Sequence, residues 1–193
     1  MAIDTGLAIG CTDLQATGGI KRILIRAWTA GDAVTYGSAG VHTITSIVDT
    51  GGTTADWGVY EFKNETPALT IAGTKEMGST AFECGLSFFL PRLEFNKFSL
   101  IESIKNSCLM VLAVDNNDTA FVLGVSEKYE NDADPTRNQT YAQLASVEGA
   151  SGAAYSDESG VTISLTAKQF EMPREFVTGV ITVAADGLTA TTA

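Results

Sequence analysis

The sequence predicts a mainly β fold, an antiparallel β-sandwich or barrel with one flanking α-helix. Short runs of β-branched and apolar residues recur along the 193 residues, and Gly-rich or Asn/Asp turn signals separate them. Only one stretch repeats its apolar residues at helical spacing. Because short turns join most successive runs, hairpins are favoured, and a hairpin-rich chain with 45% hydrophobic residues is typical of a sandwich or barrel.

Five strands are predicted in the first half of the chain. They cover residues 20–28, 41–49, 57–63, 68–73 and 79–91. A turn-rich loop follows the first strand, and a Gly/Thr turn predicts that the second and third strands pair as a hairpin. The fifth strand alternates most clearly, and we expect its buried face to carry Phe82, Cys84, Leu86, Phe88 and Leu90.

The second half of the chain predicts the helix, a hairpin and a last clear strand. Apolar residues follow helical spacing within residues 95–108, and Asn96 or Ser99 is available as the N-cap. Residues 109–127 predict a β-hairpin about an Asn/Asp turn, with both arms apolar enough for the middle of a sheet. The final strand is expected over residues 161–170.

These elements predict one domain with two extensions. Residues 1–17 are small, polar and aperiodic, which indicates an N-terminal arm. The β domain spans residues 18–176 and includes a long acidic loop at 128–160, and residues 177–193 form a C-terminal tail with one further possible strand. Loops of that length are either solvated or functional.

The acidic loop leaves two interpretations open. It is either a solvated loop or an arm that becomes ordered only against a neighbouring subunit. In the second case Tyr129, Tyr141 and Leu144 are the candidate anchors at the subunit interface.

Charge and cysteine usage exclude several classes of protein. The chain has 12 basic and 23 acidic residues, so its surface repels phosphate and disfavours a protein that grips nucleic acid. Three widely spaced cysteines argue against a disulfide framework and against a zinc site. We expect no signal peptide and no transmembrane helix, because no sufficiently long apolar run occurs.

No catalytic motif is recognisable, and we predict that the chain is not an enzyme and needs no cofactor or metal. His42 is the only histidine, and its alternation with Ile44 and Val48 indicates a strand residue. There is no Gly-x-Ser-x-Gly elbow and no Gly-rich phosphate loop. The run beginning at Asp115 lacks the Gly and Glu that a calcium loop requires, so a hairpin turn is expected there.

Two segments resemble the bacteriophage tail tube (major tail) proteins. They are CTDLQATGGIKRILIRAW at residues 11–28 and the strand, helix, hairpin block at residues 82–124. The resemblance implies a structural virion protein that forms hexameric rings stacked into a tube, the conduit for DNA ejection. It also implies partners among the other phage tail proteins, assembly in the host cytoplasm, no membrane, and a lumen through which DNA passes without specific binding.

The basic residues of the first strand are then candidates for the ring joint. Lys21, Arg22 and Arg26 are three of the twelve basic residues, and each is expected to face an acidic patch of the adjoining subunit. The alternative is that they lie on the solvent face of an edge strand and discourage aggregation. Carboxylates are expected to line the lumen.

Other functions remain open at this level. A capsid decoration, neck or tail-completion protein would share the composition. A secreted binding module would need an exposed aromatic platform, for which Trp28, Trp57 and Tyr60 are the candidates.

Overall fold

The computed structural model describes residues 18–29, 31–38, 42–49, 55–62, 66–76, 79–127, 140–154, 157–177, 181–185 and 189–192. Within these ranges the chain forms thirteen strands and one helix. The strands are β1 (Ile20–Ala27), β2 (Ala33–Tyr36), β3 (Thr43–Val48), β4 (Ala55–Glu61), β5 (Ala68–Glu76), β6 (Ser79–Pro91), β7 (Leu109–Asp115), β8 (Ala120–Leu123), β9 (Ala142–Ala150), β10 (Gly160–Gln169), β11 (Arg174–Phe176), β12 (Ile181–Val183) and β13 (Thr189–Thr192); the helix is α1 (Phe95–Ile104).

Two groups of strands make up the fold. The larger group runs in the order β12-β13-β4-β1-β7-β8-β11-β3-β2, and the smaller group runs β9-β10-β6-β5. The groups join where Leu109 of β7 pairs with Ala142 of β9. All described pairings are antiparallel except that of β11 with β3, which is parallel.

Two hydrophobic clusters lie on opposite faces of β1 and β7. The first cluster fills the space between these strands, the four-stranded group and α1, with Ile23, Leu86 and Ile163 at its centre. The second packs the other face against β3, β4 and β11, with Trp57 and Leu112 fully buried. Because successive residues of a strand point to opposite faces, the apolar residues 23–25 of β1 and the continuously apolar run of β7 supply both clusters.

A mainly β fold with one flanking helix is therefore confirmed for the described residues. The strand predictions at 20–28, 41–49, 68–73 and 79–91 and the hairpin of β7 with β8 agree with the structure. The expected hairpin of 41–49 with 57–63 is wrong, because β4 pairs with β1 and β13 while β3 pairs with β2 and β11.

The long acidic loop at 128–160 requires a correction. Its second part contains β9, which pairs along its length with β10, and Gly160 begins β10 itself. The sequence of β9 shows no alternation because most of its residues are exposed on both faces of the sheet. Residues 128–139 lie outside the described residues.

The C-terminal tail also contributes more than expected. Residues 177–193 contain two strands, β12 and β13, and β13 adds to the edge of β4. The Thr192 hydroxyl accepts a hydrogen bond of 3.0 Å from the Trp57 indole and donates one of 3.0 Å to the Ile47 carbonyl, which ties β13 to β3. The predicted arm at 1–17 lies outside the described residues.

The helix begins without the side-chain cap that was expected. Glu94 occupies the N-cap position with no side-chain capping bond, so the prediction of Asn96 or Ser99 as N-cap is wrong. The Lys97 ammonium instead bonds to the Pro91 and Arg92 carbonyls, which fixes the turn between β6 and α1. Ile104 is the buried anchor of the helix in the first cluster.

Gly124 forms a sharp corner directly after the end of β8. Its φ is +83°, and a Cβ at this position would lie 2.6 Å from the Ala142 nitrogen and the Leu109 carbonyl oxygen. Its own carbonyl accepts a 3.3 Å bond from the Trp28 indole, and its N–H donates one of 3.2 Å to the buried Gln169 amide. Only glycine fits this backbone conformation in so little space.

We expect Gly124→Ala to lower the free energy of unfolding by at least about 2 kcal/mol, because it adds strain at positive φ to a backbone clash. Urea unfolding measures the effect. Gly18→Ala is the matched control, because no heavy atom lies within 4 Å of its Cβ position. The control should change stability by less than about 0.5 kcal/mol. Equal effects of the two substitutions would contradict this account of the corner.

Candidate subunit interface

The four-stranded group presents two unpaired edges among the described residues. β5 pairs with β6 on one side only, and its residues 68–75 are exposed apart from the half-buried Leu69. β9 pairs with β10, and on its other side only Ala142 meets a strand. Unpaired N–H and C=O groups along a sheet edge are a template for strand addition by another chain.

One face of this group points away from the core and is mostly uncharged at its centre. In the middle of the group it carries small hydroxyl residues, including Thr70, Ser87 and Ser164, and Gly85 lies between them. The Ser164 hydroxyl lies 3.4 Å from that of Ser87, and Thr70 donates a 3.2 Å bond to the Gly85 carbonyl. We name this surface the hydroxyl face.

Few charged side chains lie on the hydroxyl face. Glu83 of β6 and Glu148 of β9 carry negative charge, and Lys168 of β10 carries positive charge. The Glu83 carboxylate accepts a 3.3 Å bond from Thr166. Among the described residues this surface is therefore polar, and it is not lined mainly by carboxylates. If this face lines a lumen, the lumen is less acidic than the sequence led us to expect.

The opposite face is covered by α1, which leaves an apolar groove beside β9. The groove has a volume of about 390 Å³ and is lined by Phe98, Ile101, Glu102, Val147, Gly149 and Val161. The side chains of Phe98 and Val147 are 45% and 39% exposed, and Leu93 and Phe95 extend the apolar surface along the helix. We name this feature the helix groove.

The three basic residues of β1 each pair with an acid of the same chain. Lys21 forms an ion pair with Asp118, and Arg22 contacts Glu61 at 2.6 Å. β1 lies between β4 and β7, so the alternative of an edge strand is wrong. The two exposed pairs contribute little to stability. Their expected contact with an adjoining subunit stays a prediction.

Arg26 belongs to a buried polar network. Its guanidinium pairs with Asp32 and donates bonds of 3.2 Å to the Thr29 hydroxyl and to the Asp56 carbonyl. Asp32 also accepts bonds of 2.8 Å and 2.7 Å from the backbone and hydroxyl of Thr29. The network fastens the end of β1 to the following turn, so Arg26 has a structural role within its own chain.

The predicted anchors of the acidic loop lie in different places. Tyr129 lies outside the described residues. Leu144 belongs to β9 and packs against the first cluster, and Tyr141 packs against the second. Both side chains are half-buried within the chain, so its own core accounts for their apolar character without a partner.

A second ionic network, around Arg174 of β11, was missed from the sequence. The buried Arg174 guanidinium contacts Glu127 at 2.7 Å and Glu171 at 2.8 Å, and lies 4.8 Å from the centre of the Tyr36 ring. Burial by itself would raise the pKa of Glu171. The hydrogen bond and the positive charge of Arg174, together with smaller contributions from other hydrogen bonds, lower the pKa by more than burial raises it, so the pKa of Glu171 lies below its ordinary value. Glu171 lies only three residues before Arg174, but Glu127 and Tyr36 are distant from it in the sequence, so no local pattern signals the whole network.

The lowered pKa of Glu171 predicts a pH-dependent stability. A carboxylate whose pKa is lower in the folded chain stabilises it above the ordinary Glu pKa, and this contribution is lost as pH falls through the folded value. Urea unfolding between about pH 5 and pH 2 should show a shallower decline for Glu171→Gln than for the unmodified chain. Glu102→Gln, which removes an exposed pair with Lys105, is the control and should leave the slope unchanged. Equal slopes for Glu171→Gln and the unmodified chain would contradict the network.

The remaining candidates for chemistry are dispersed. His42 precedes β3, and its Nε2 lies 2.6 Å from the Met172 carbonyl oxygen. Burial, with a smaller contribution from Glu83, raises the pKa of the Cys84 thiol to about 11, so this thiol is unreactive at neutral pH. In the part of the chain that the structure describes, no three His, Cys, Asp or Glu residues are grouped to hold a metal ion. No helix there has the length and apolarity to cross a membrane.

Comparison with known proteins adds no relative. No family model matches the chain, and no match was found among curated proteins or among solved structures.

Proposed function

We propose that this chain is a structural subunit of a bacteriophage tail tube. It assembles in the host cytoplasm into hexameric rings that stack into the conduit for DNA ejection, and it functions in the tail of the virion. Its partners are further copies of itself and other phage tail proteins. The observation that carries the proposal is a four-stranded antiparallel group whose outer strands, β5 and β9, have unpaired edges among the described residues, apart from the pairing of Ala142 with Leu109.

Strand direction supports a ring. The four strands alternate in direction in the order β9-β10-β6-β5, so β5 runs opposite to β9. When β5 of one copy adds to β9 of the next, the alternation continues without interruption across the joint. Such a head-to-tail contact uses two different surfaces of each copy, and repeated contacts of this kind close into a ring.

The size of that ring suits a DNA conduit. Six copies contribute about two dozen strands, and a closed barrel with strands about 4.8 Å apart and tilted by about 40° has a backbone diameter of about 50 Å. Side chains reduce this to a lumen of about 40 Å, which is wide enough for a DNA double helix.

The chemistry of the hydroxyl face supports passage without binding. Affinity for nucleic acid comes mainly from lysine and arginine side chains that neutralise phosphates. The hydroxyl face carries Lys168 opposite Glu83, with Glu148 at the other end of the face opposite Thr162, and its centre is made of hydroxyl groups and glycine. We infer that this face lines the lumen and that α1 lies on the outside.

Negative-stain electron microscopy of the purified chain tests the proposal. We expect rings or stacked tubes with an open centre, and sedimentation velocity should show a species much larger than 20.3 kDa. A chain that remains monomeric at all salt and protein concentrations would contradict the proposal. Binding to preformed capsids without self-assembly would favour a decoration protein instead.

A further inference from the structure

We propose that the helix groove is the docking site for Ile71 on β5 of a neighbouring copy. This inference rests on the proposed ring and names the contact that seals its joint on the outer side. Strand addition would pair the free backbone N–H and C=O groups of β5 and β9. It would not by itself cover the helix groove beside β9, which needs an apolar side chain.

The groove and Ile71 share one face of the sheet. Val147 pairs with Ile163 and Gly149 pairs with Val161, whose side chains are buried in the first cluster, so the groove lies on the core side of β9. Ile71 pairs with Cys84, which is also buried in that cluster. Residues paired across a sheet point to the same face, so Ile71 is on the core side of β5.

Both surfaces are incompletely covered within one copy. Ile71 is 41% exposed at one edge of the four-stranded group, while Phe98 and Val147 are exposed at the other. The two edges are three strand spacings apart, roughly 14 Å, so Ile71 cannot fill the groove of its own chain. Addition of β5 to β9 of the next copy brings Ile71 to the groove side and continues the apolar layer across the joint.

The charges beside the apolar contact are complementary. Glu102 of α1 lines the groove. Lys75 is exposed and lies four residues beyond Ile71 on the same face of β5. A basic residue on the incoming strand and an acidic residue on the receiving helix favour this orientation over addition of a second β9, which would bring Glu102 of both copies to the joint.

Photo-crosslinking from Phe98 tests the contact without assuming a register. Phe98 is replaced by benzoylphenylalanine, and the variant is assembled with an equal amount of ¹⁵N-labelled unmodified chain before irradiation. We expect mass spectrometry to find crosslinks between unlabelled and labelled chains that map to residues 68–76. Crosslinks from assembled rings that map elsewhere would overturn the inference and leave the ring itself intact.

A charge exchange gives an independent test. Ile71→Glu places a carboxylate against the groove and Glu102, and we expect it to reduce the assembled fraction at least ~10-fold. Adding Glu102→Lys to Ile71→Glu should restore most of the assembly, whereas Glu102→Lys alone should assemble less well than the unmodified chain, because it replaces the attraction between Glu102 and Lys75 with repulsion. Thr74→Glu lies on the other face of β5 and is the matched control, with assembly expected to persist.

The possible outcomes separate the two proposals. Normal assembly of Ile71→Glu, or no recovery on adding Glu102→Lys, would overturn the docking of Ile71 while the unmodified rings still support the tube. Failure of the unmodified chain to assemble contradicts the proposed function and this inference with it. Far-ultraviolet circular dichroism of each variant confirms that the exposed substitutions leave the chain folded.

Discussion

Tubes assembled from a Ser164→Lys variant should retain duplex DNA, and tubes of the unmodified chain should not. Ser164 lies in the middle of the hydroxyl face, beside Ser87 of β6 and opposite Ser146 of β9. In the proposed tube, a lysine there would be repeated in every copy of a ring and in every ring. Since each neutralised phosphate releases counterions, repeated contacts multiply the affinity for DNA.

The measurement is co-sedimentation after assembly in the presence of a short labelled duplex. At about 50 mM salt we expect Ser164→Lys tubes to retain at least ~10-fold more DNA than unmodified tubes, and the excess should vanish at about 500 mM salt. Thr182→Lys adds the same charge at an exposed position on β12, outside the four-stranded group, and is the control. Equal retention by both variants would show that the hydroxyl face does not line the lumen.

The hydroxyl face and its edges were only partly predictable from the sequence. Both ends of β6 were predicted correctly from the sequence. One face of this strand meets the core and the other meets solvent, so apolar and polar residues alternate clearly along it. β9 was assigned to a loop because its residues beyond Leu144 are exposed on both faces, so nothing selects for alternation. A strand exposed on both faces therefore has no periodic signal in the sequence.

Strand pairing was a second feature of the fold that the sequence did not predict correctly. The Gly/Thr turn predicted that β3 and β4 form a hairpin, but β4 is the neighbour of β1, with Ile23 opposite Tyr60. The parallel contact of β11 with β3 joins residues more than 120 positions apart. Such contacts are decided by how the two clusters close around β1 and β7, which a local pattern does not encode.

The partners of the basic residues of β1 were a third feature that the sequence could not predict. From the sequence, Lys21, Arg22 and Arg26 were expected either to face an acidic patch of an adjoining subunit or to lie on the solvent face of an edge strand, and acidic partners within the same chain were not foreseen. Asp118, Glu61 and Asp32 supply them within one copy. The three pairs differ sharply in burial, and this difference gives the second large prediction.

We expect Asp32→Ala to lower the free energy of unfolding by about 3–5 kcal/mol. The Arg26 side chain is 10% exposed and that of Asp32 is fully buried, so the substitution leaves an arginine charge without its acid in a desolvated site. It also removes the acceptor of the Thr29 backbone and hydroxyl bonds, which hold the turn after β1.

Urea unfolding of Asp32→Ala beside Glu61→Ala provides the measurement and its matched control. Both substitutions remove the acid that pairs with an arginine of β1, but the Arg22 and Glu61 side chains are 28% and 54% exposed. Glu61→Ala should therefore cost less than about 1 kcal/mol. If Asp32→Ala is equally mild in the monomer, Arg26 does not depend on Asp32, and contact of this guanidinium with an adjoining subunit becomes the better explanation of the basic strand. A large difference between the two variants instead assigns Arg26 to the fold of the single chain, and the ring joint then depends on the edges of β5 and β9.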